Sequence, residues 1–297
     1  MKKIQLGQSS LHISQLGFGC MSLPPSIEQA RPIIEAAIES GIQYFDTADL
    51  YDRGINEEIV GKLLKPYRQQ IVIATKVGNR WTEGQDGWQW DASPFYIQEA
   101  VKASLKRLQT DVIDLYQLHG GTNEDDLPAI IDTFEQLKQQ GYIREYGISS
   151  IRPNVFVPFL QQSNAASNMM QFNALDRCAE EWFPTIQQAG ASVVTRGTVA
   201  KGLLTNDWAT RTKNYMTYTA DELQKLLPLI EEHYRSVHAF ALAFNLQFDA
   251  IASTVIGASA VEQLQQTIQA YEQAQTISDL SFAMQHLKRA TYEQHRI

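Results

Sequence analysis

Residues 71–78, Ile71-Val72-Ile73-Ala74-Thr75-Lys76-Val77-Gly78, read as a short apolar strand over Ile71–Thr75 that is closed by a lysine. A β-branched run of this length, ended by a charge and a glycine, is the signature of a buried strand whose last residues emerge at the edge of a sheet. Working outward, the pattern repeats. Upstream, Ile42–Phe45 is followed at once by Asp46 and, in DTADLY, by Tyr51. Downstream, Val112–Leu118 is closed by His119 in VIDLYQLHGG. Consecutive parallel strands in an α/β fold deliver such end residues to one rim, where catalytic sites form.

The rest of the chain alternates in the same way. Further strands are expected at Gln15–Gly19, Tyr142–Ile148, Asn168–Phe172, Ser192–Thr195 and Ser253–Ile256, which makes eight with the three above. Between them run helical patterns. Ser26 with Gln29 reads as a capping box ahead of Ile27, Ile34 and Ile38, and Gly41 ends that helix. Ser93-Pro94 opens a helix carrying Ile97, Val101, Leu105 and Leu108; Asp125 or Asp126 opens the next. Thr219 with Glu222, and Ser259 with Glu262, are further capping boxes. The opening, KIQLGQSSLHIS, predicts a hairpin around Gly7–Ser10, and Asp279–Ile297 predicts a docked terminal helix. Strand–helix alternation implies a parallel sheet, but it does not separate a closed barrel from an open doubly wound sheet.

Composition narrows the function classes. A net charge of −8 with no Lys/Arg-rich run argues against nucleic acid as a partner. No stretch approaches the roughly 18–20 apolar residues of a membrane span, and the N-terminus has no apolar signal region, so a cytoplasmic protein is expected. Cys20 and Cys178 are far apart and form no metal or redox pattern. Of the six histidines only His119 sits at a strand end, so no metal site is expected.

The segments DTADLY, ATKVG, LYQLHG and YIREYGIS, in this order and spacing, together with KIQLG…LHISQLGFGCM and VIGAS near residue 257, resemble the aldo-keto reductase family. The resemblance runs along nearly the whole chain. It implies one domain over residues 1–297: a (β/α)8 TIM barrel with the N-terminal hairpin in its N-terminal mouth and a C-terminal helix near the substrate pocket. It also implies a cytoplasmic oxidoreductase that reduces aldehydes or ketones with a nicotinamide cofactor, NADPH first and NADH possible. The partner is then a small carbonyl compound.

Residue by residue, the resemblance makes Asp46, Tyr51, Lys76 and His119 catalytic. Carbonyl reduction needs a hydride and a proton. An unperturbed tyrosine has a pKa of about 10, too high for a good proton donor near neutrality, and a nearby ammonium favours the phenolate. Lys76 would supply that charge, Asp46 would hold Lys76, Tyr51 would give the proton, and His119 would orient the substrate oxygen. Taken singly, each has an ordinary structural role: a helix cap, a half-buried ring, a solvated lysine, a core histidine. Only together do they make a site.

The rim loop Gly78–Asp91 carries Trp81, Trp88 and Trp90; Trp81 and Trp88 join Tyr51 and His119 as candidate substrate contacts, although the indoles serve equally well to pack the loop. Asp114, Arg144 and Glu145 read as structural or exposed. The GxG at Gly17 and Gly19 lacks a third glycine at the spacing of a dinucleotide fingerprint. The cofactor contacts implied by the resemblance are Met21, Asp46, Ser149 and Gln171, then Arg196, Gly197, Thr198, Val199, Lys201 and Gly202, and finally Gly257, Ser259, Gln263 and Thr267. The chain departs from the family at Ser150, where Asn is usual, and at Arg196-Gly197-Thr198-Val199, where Tyr-Ser-Pro-Leu is common. Arg196 would stack its guanidinium on the nicotinamide, though a plain salt-bridge role competes. No Arg or Lys occurs in Ile256–Tyr271, which weakens the expected hold on a 2′-phosphate. The alternatives left open are a cofactor-bound sensor on the same barrel and, less favoured by the residues, a metal hydrolase or a Schiff-base aldolase on Lys76.

Overall fold

The computed structural model describes all residues 1–297. The N-terminal hairpin pairs β1 (Lys3–Gln5) with β2 (His12–Ser14). Eight parallel strands then close on themselves: β3 (Leu16–Gly19), β4 (Tyr44–Asp46), β5 (Val72–Val77), β8 (Ile113–Leu118), β9 (Ile143–Ser149), β10 (Ser167–Gln171), β11 (Ser192–Arg196) and β12 (Ile251–Ile256), with β12 hydrogen-bonded to β3. The two short strands β6 (Asn79–Arg80) and β7 (Gln89–Trp90) form an antiparallel arm on the rim. Around the barrel lie α1 (Ile27–Glu39), α2 (Ile55–Leu64), α3 (Pro94–Leu108), α4 (Leu127–Gln139), α5 (Pro153–Gln161), α6 (Phe183–Gln188), α7 (Trp208–Arg211), α8 (Ala220–Tyr234), α9 (Val237–Leu246), α10 (Val261–Ala274) and α11 (Ser281–His286). The fold is the expected (β/α)8 barrel. No helix is long and apolar enough to cross a membrane.

The two-residue period of a strand sorts its side chains between two cores. Outward residues such as Phe45, Ile73 and Tyr116 join a large apolar layer between sheet and helices. Inward residues Tyr44, Ala74, Leu115, Met169 and Val194 meet Leu6, Leu11 and Ile13 of the hairpin in a smaller interior cluster. The hairpin plugs the end where strands begin: Ser14 Oγ accepts the N–H groups of Gln43 and Tyr44 at 2.9 and 3.2 Å. The GxG pair belongs to this packing. A Cβ on Gly17 would lie 2.5 Å from the Tyr44 ring, so the position requires glycine for close approach.

Three expectations about local structure are corrected. Ser26 is the N-cap of α1 but makes no side-chain cap bond. The helix expected from Ser259 starts instead at Val261, with Ala260 as its uncapped N-cap, because Gln263 Oε1 accepts both the N–H and the hydroxyl of Ser259 (2.9 and 3.1 Å). The terminal helix is only α11; from Leu287 the chain leaves the helix and is held by point contacts. The Lys288 N–H donates to Tyr218 Oη at 2.6 Å, and the Asn154 N–H donates to the His295 carbonyl at 2.9 Å. The Thr219–Glu222 capping box forms in full.

Candidate active site

The period that built the interior also aims the polar end residues. Asp46 lies on the face of Tyr44, Lys76 on that of Ala74, and Gln117 on that of Leu115, so all three point into the barrel near its C-terminal rim. Lys76 stands inside β5 rather than after it, and Asp46 is the last residue of β4. Lys76 is 1 % exposed, and its three ammonium protons have three acceptors: Asp46 Oδ1 at 2.5 Å, the Thr47 carbonyl at 2.7 Å and Tyr51 Oη at 3.3 Å. Gln117 Nε2 donates to the other Asp46 oxygen at 3.1 Å. Burial alone would push the Lys76 ammonium down, but the Asp46 charge and the hydrogen bonds it donates to Asp46 and Tyr51 outweigh it, and its pKa is raised. Lys76 is therefore a fixed, charged group beneath the Tyr51 hydroxyl.

His119 completes the cluster. Its N–H donates to the Val77 carbonyl at 2.7 Å, its carbonyl accepts from Asn79 Nδ2 at 3.0 Å, and its ring meets that of Tyr51 edge-on at 6.0 Å. Burial, then the positive charges of Lys76 and Arg196, hold its pKa down at about 3, so the imidazole is neutral near neutrality. Nδ1 is buried without a partner.

The loop tryptophans separate. Trp88 is 55 % exposed and has no hydrogen-bond or ring partner. Trp81 donates to the Asp49 carbonyl at 3.3 Å and lines clefts toward α2 and α3. Trp90, which was not among the expected contacts, lies across the ends of β5 and β8. A Cβ on Gly78 or Gly120 would come within 2.6 or 3.2 Å of its ring, and its indole N–H donates to Asp125 Oδ1 at 2.8 Å. Both glycines sit at positive φ, and neither has a Cβ to keep the ring away.

On the other half of the rim, Gln171 and Arg196 end the neighbouring strands β10 and β11, and Arg196 Nη1 donates to Gln171 Oε1 at 3.3 Å while Gln171 Nε2 donates to Asp176 at 2.6 Å. Ser149 ends β9. Gly197 is exposed at φ 73°, and Met21 is 64 % exposed beyond β3. Val199, Lys201 and Gly202 belong to the turn after β11, with Lys201 and Gly202 at positive φ. Thr198 and Thr267 are buried: Thr198 Oγ1 accepts from Asn245 and Thr267 Oγ1 donates to the Gln263 carbonyl. Gly257 is exposed after β12. A cavity of about 740 Å³ runs from Gln171 and Asp176 beneath residues 289–295 of the C-terminal segment. Asp114 is structural: it is buried and pairs with Arg68 and Arg144 at 2.8 and 3.1 Å, as Glu145 does with Lys138 at 2.6 Å.

A sequence profile of the aldo/keto reductase family matches residues 15–286. The chain belongs to this family. Along its full length it is 49 % identical to the uncharacterized oxidoreductase YqkF of Bacillus subtilis, with both chains covered completely. It is similar to the holo form of the aldo-keto reductase AKR11C1 from Bacillus halodurans, at 50 % identity with a TM-score of 0.92 over all of both chains; against the apo form the TM-score is 0.84. The NADH-specific methylglyoxal reductase of Escherichia coli is 29 % identical over 91 % of this chain and 93 % of its own. The protein is thus an aldo-keto reductase, an NAD(P)H-dependent oxidoreductase acting on carbonyl groups.

Proposed function

We propose that this aldo-keto reductase reduces aldehydes or ketones to alcohols with NADPH, taking the proton from Tyr51. The observation that carries the reading is the buried Lys76 ammonium, held by Asp46 and placed 3.3 Å from Tyr51 Oη. When the Tyr51 proton leaves for the substrate oxygen, the charge left on the ring oxygen falls beside a fixed positive charge in a site with little water, where such stabilisation is strongest. The neutral His119 offers Nε2–H to the same substrate oxygen and fixes its direction. Trp90, over Gly78 and Gly120, walls the place where an apolar carbonyl compound would lie.

The residues on β9 to β12 fit a nicotinamide dinucleotide. Ser149 and Gln171 present side-chain polar groups suited to a carboxamide, Arg196 presents an exposed planar cation, and Gly197 and Gly257 leave exposed backbone for close approach. The bound cofactor supplies the hydride. Because Ile256–Tyr271 holds no Arg or Lys, we read NADH as a competing cofactor, and a relative named as NADH-specific is consistent with that. The test is the oxidation of NADPH and of NADH with an activated aromatic aldehyde, in wild type and in Tyr51→Phe. Turnover that disappears in the variant while cofactor affinity persists is expected. Full activity in the variant would remove Tyr51 as the donor, and tight cofactor binding without turnover on any aldehyde would move the reading to a sensor.

A further inference from the structure

Two residues before Tyr51, Asp49 is 2 % exposed, and its environment is built differently from that of Asp46. Its backbone is a junction: the N–H donates to the Lys76 carbonyl at 3.4 Å, and its carbonyl accepts the Trp81 indole N–H at 3.3 Å. Its side chain is poorly served. Oδ2 has one long bond, to Tyr96 Oη at 3.4 Å, and Oδ1 is buried with no partner.

The charged and titratable groups around it are Glu57 from α2, Arg107, Tyr96 and Glu99 from α3, Tyr116 from β8, and Arg80 from the rim arm with Asp91 just beyond it. Glu57 is fully buried and takes everything available: Thr75 Oγ1 at 2.6 Å, Ser104 Oγ at 3.2 Å and Arg107 Nε at 2.7 Å. Arg80 is paired with Asp91 at 3.1 Å. Two buried carboxyl groups thus share one guanidinium, and that guanidinium is on Glu57. A buried carboxylate with no cation of its own and only a long hydrogen bond is far costlier than a neutral acid. Burial first, then the Glu57 charge, push Asp49 up to about 8 against the pull of Arg107, the Leu50 N–H and the Tyr96 hydroxyl.

We propose that Asp49 is a positioning residue for Tyr51 that works only while it carries a proton. As a neutral acid it fits its site and fixes the strand-end junction between Lys76 and the Tyr51 turn. Once ionised, it must draw in water or pull Arg107 from Glu57, and either movement shifts the backbone that carries Tyr51. The turn beyond it is poised to yield: Asp52, Arg53 and Gly54 sit consecutively at φ 48°, 53° and 88°, and two of these are not glycine. Turnover then falls on the alkaline side because the Tyr51–Lys76 contact opens.

The activity part rests on the reductase reading; the proton and the loosening do not, so three measurements separate them, each comparing wild type with Asp49→Asn, a neutral mimic, and Asp49→Ala. In thermal unfolding, a group whose folded pKa is raised contributes stability that is full below the ordinary aspartate range and lost as pH rises through about 8. The melting temperature of Asp49→Asn should therefore gain on wild type from pH ~5 to ~8 and hold a constant lead above that. A lead that does not change with pH overturns the buried proton. In hydrogen exchange, amides of residues 47–54 should open faster in wild type than in Asp49→Asn only on the alkaline side; equal rates overturn the loosening. In turnover, Asp49→Asn should stay active to higher pH than wild type, whereas Asp49→Ala should be down by about a hundredfold throughout, the scale of a roughly 1 Å misplacement of catalytic groups. An Asn variant that follows the wild-type alkaline limb, or that falls to the level of Ala, overturns the positioning role. Absence of turnover in wild type sinks the reductase reading and leaves the other two measurements to decide Asp49.

Discussion

The rim of this barrel has two halves that are prepared in opposite ways. On β4, β5 and β8, the side chains are buried and satisfy one another: the Lys76 ammonium has three acceptors, and Asp46 is held from both sides. On β9 to β12, the groups that meet the cofactor in our proposal are half-exposed or exposed. Gln171 and Arg196 are tied to each other and to Asp176 by bonds that a ligand can replace. Proton chemistry needs charges fixed before the substrate arrives, because reorganising them later adds to the barrier. Binding a large cofactor needs accessible donors, for which water or neighbours stand in until it arrives. The departures from the family pattern, at Ser150 and Arg196 to Val199, fall in the second half, and the four residues of the first half match the family pattern.

The sharpest way to break this comparison is at Lys76. Lys76→Met should lower turnover by about a thousandfold, the middle of the range for general acid–base catalysis. It should also destabilise the fold by roughly 3–5 kcal/mol, because Asp46 is left buried without its partner. Adding Asp46→Asn should restore much of the melting temperature and none of the turnover; recovery of turnover would mean that the pair is only structural.

The next effect concerns His119. Its folded pKa is depressed to about 3. Stability tied to its neutral ring is present above the unfolded histidine range and is lost as pH falls from about 6.5 toward about 3, at roughly 1.4 kcal/mol per pH unit. His119→Asn should remove that slope from the acid unfolding curve. A slope unchanged in the variant would place the titration elsewhere.

The smallest effect lies in the exposed half. Arg196→Ala should weaken cofactor binding about tenfold, the scale of one exposed cation's contact, and leave the melting temperature of the cofactor-free protein within about a degree. Unchanged affinity by fluorescence titration would end the stacking assignment, and a large stability loss would show that this half is as tightly built as the other.

Legibility in the sequence followed the same division. The meeting of Asp46, Tyr51, Lys76 and His119 at one rim was readable because strand periodicity and the chain's segment order both locate strand ends. Even there the boundaries moved, with Lys76 inside β5. Trp90 was passed over in favour of Trp88, since nothing local to GNRWTEGQDGWQWD tells which indole turns inward; that depends on Gly78 and Gly120, whose flat surfaces meet only once β5 and β8 are paired. Ser259 read as a cap, but Gln263 reached it first. The terminal helix was overextended because the apolar spacing of Leu280, Ala283, Met284 and Leu287 stops where Tyr218 and Asn154 capture the backbone at Lys288 and His295.

What the order of residues determined was therefore periodic and local: which runs are strands, which helices separate them, and which chemistry-bearing residues stand at their ends. Those follow from two short-range rules, side-chain alternation and helix spacing, that need no partner. Tertiary structure alone decided the closure of the sheet, the three-way grip on Lys76, and the pairing of Arg107 with Glu57 rather than Asp49. Each of these depends on distances between residues tens of positions apart and on the loss of water around them. Burial fixes the charge state of such groups, and burial is a property of the packed chain.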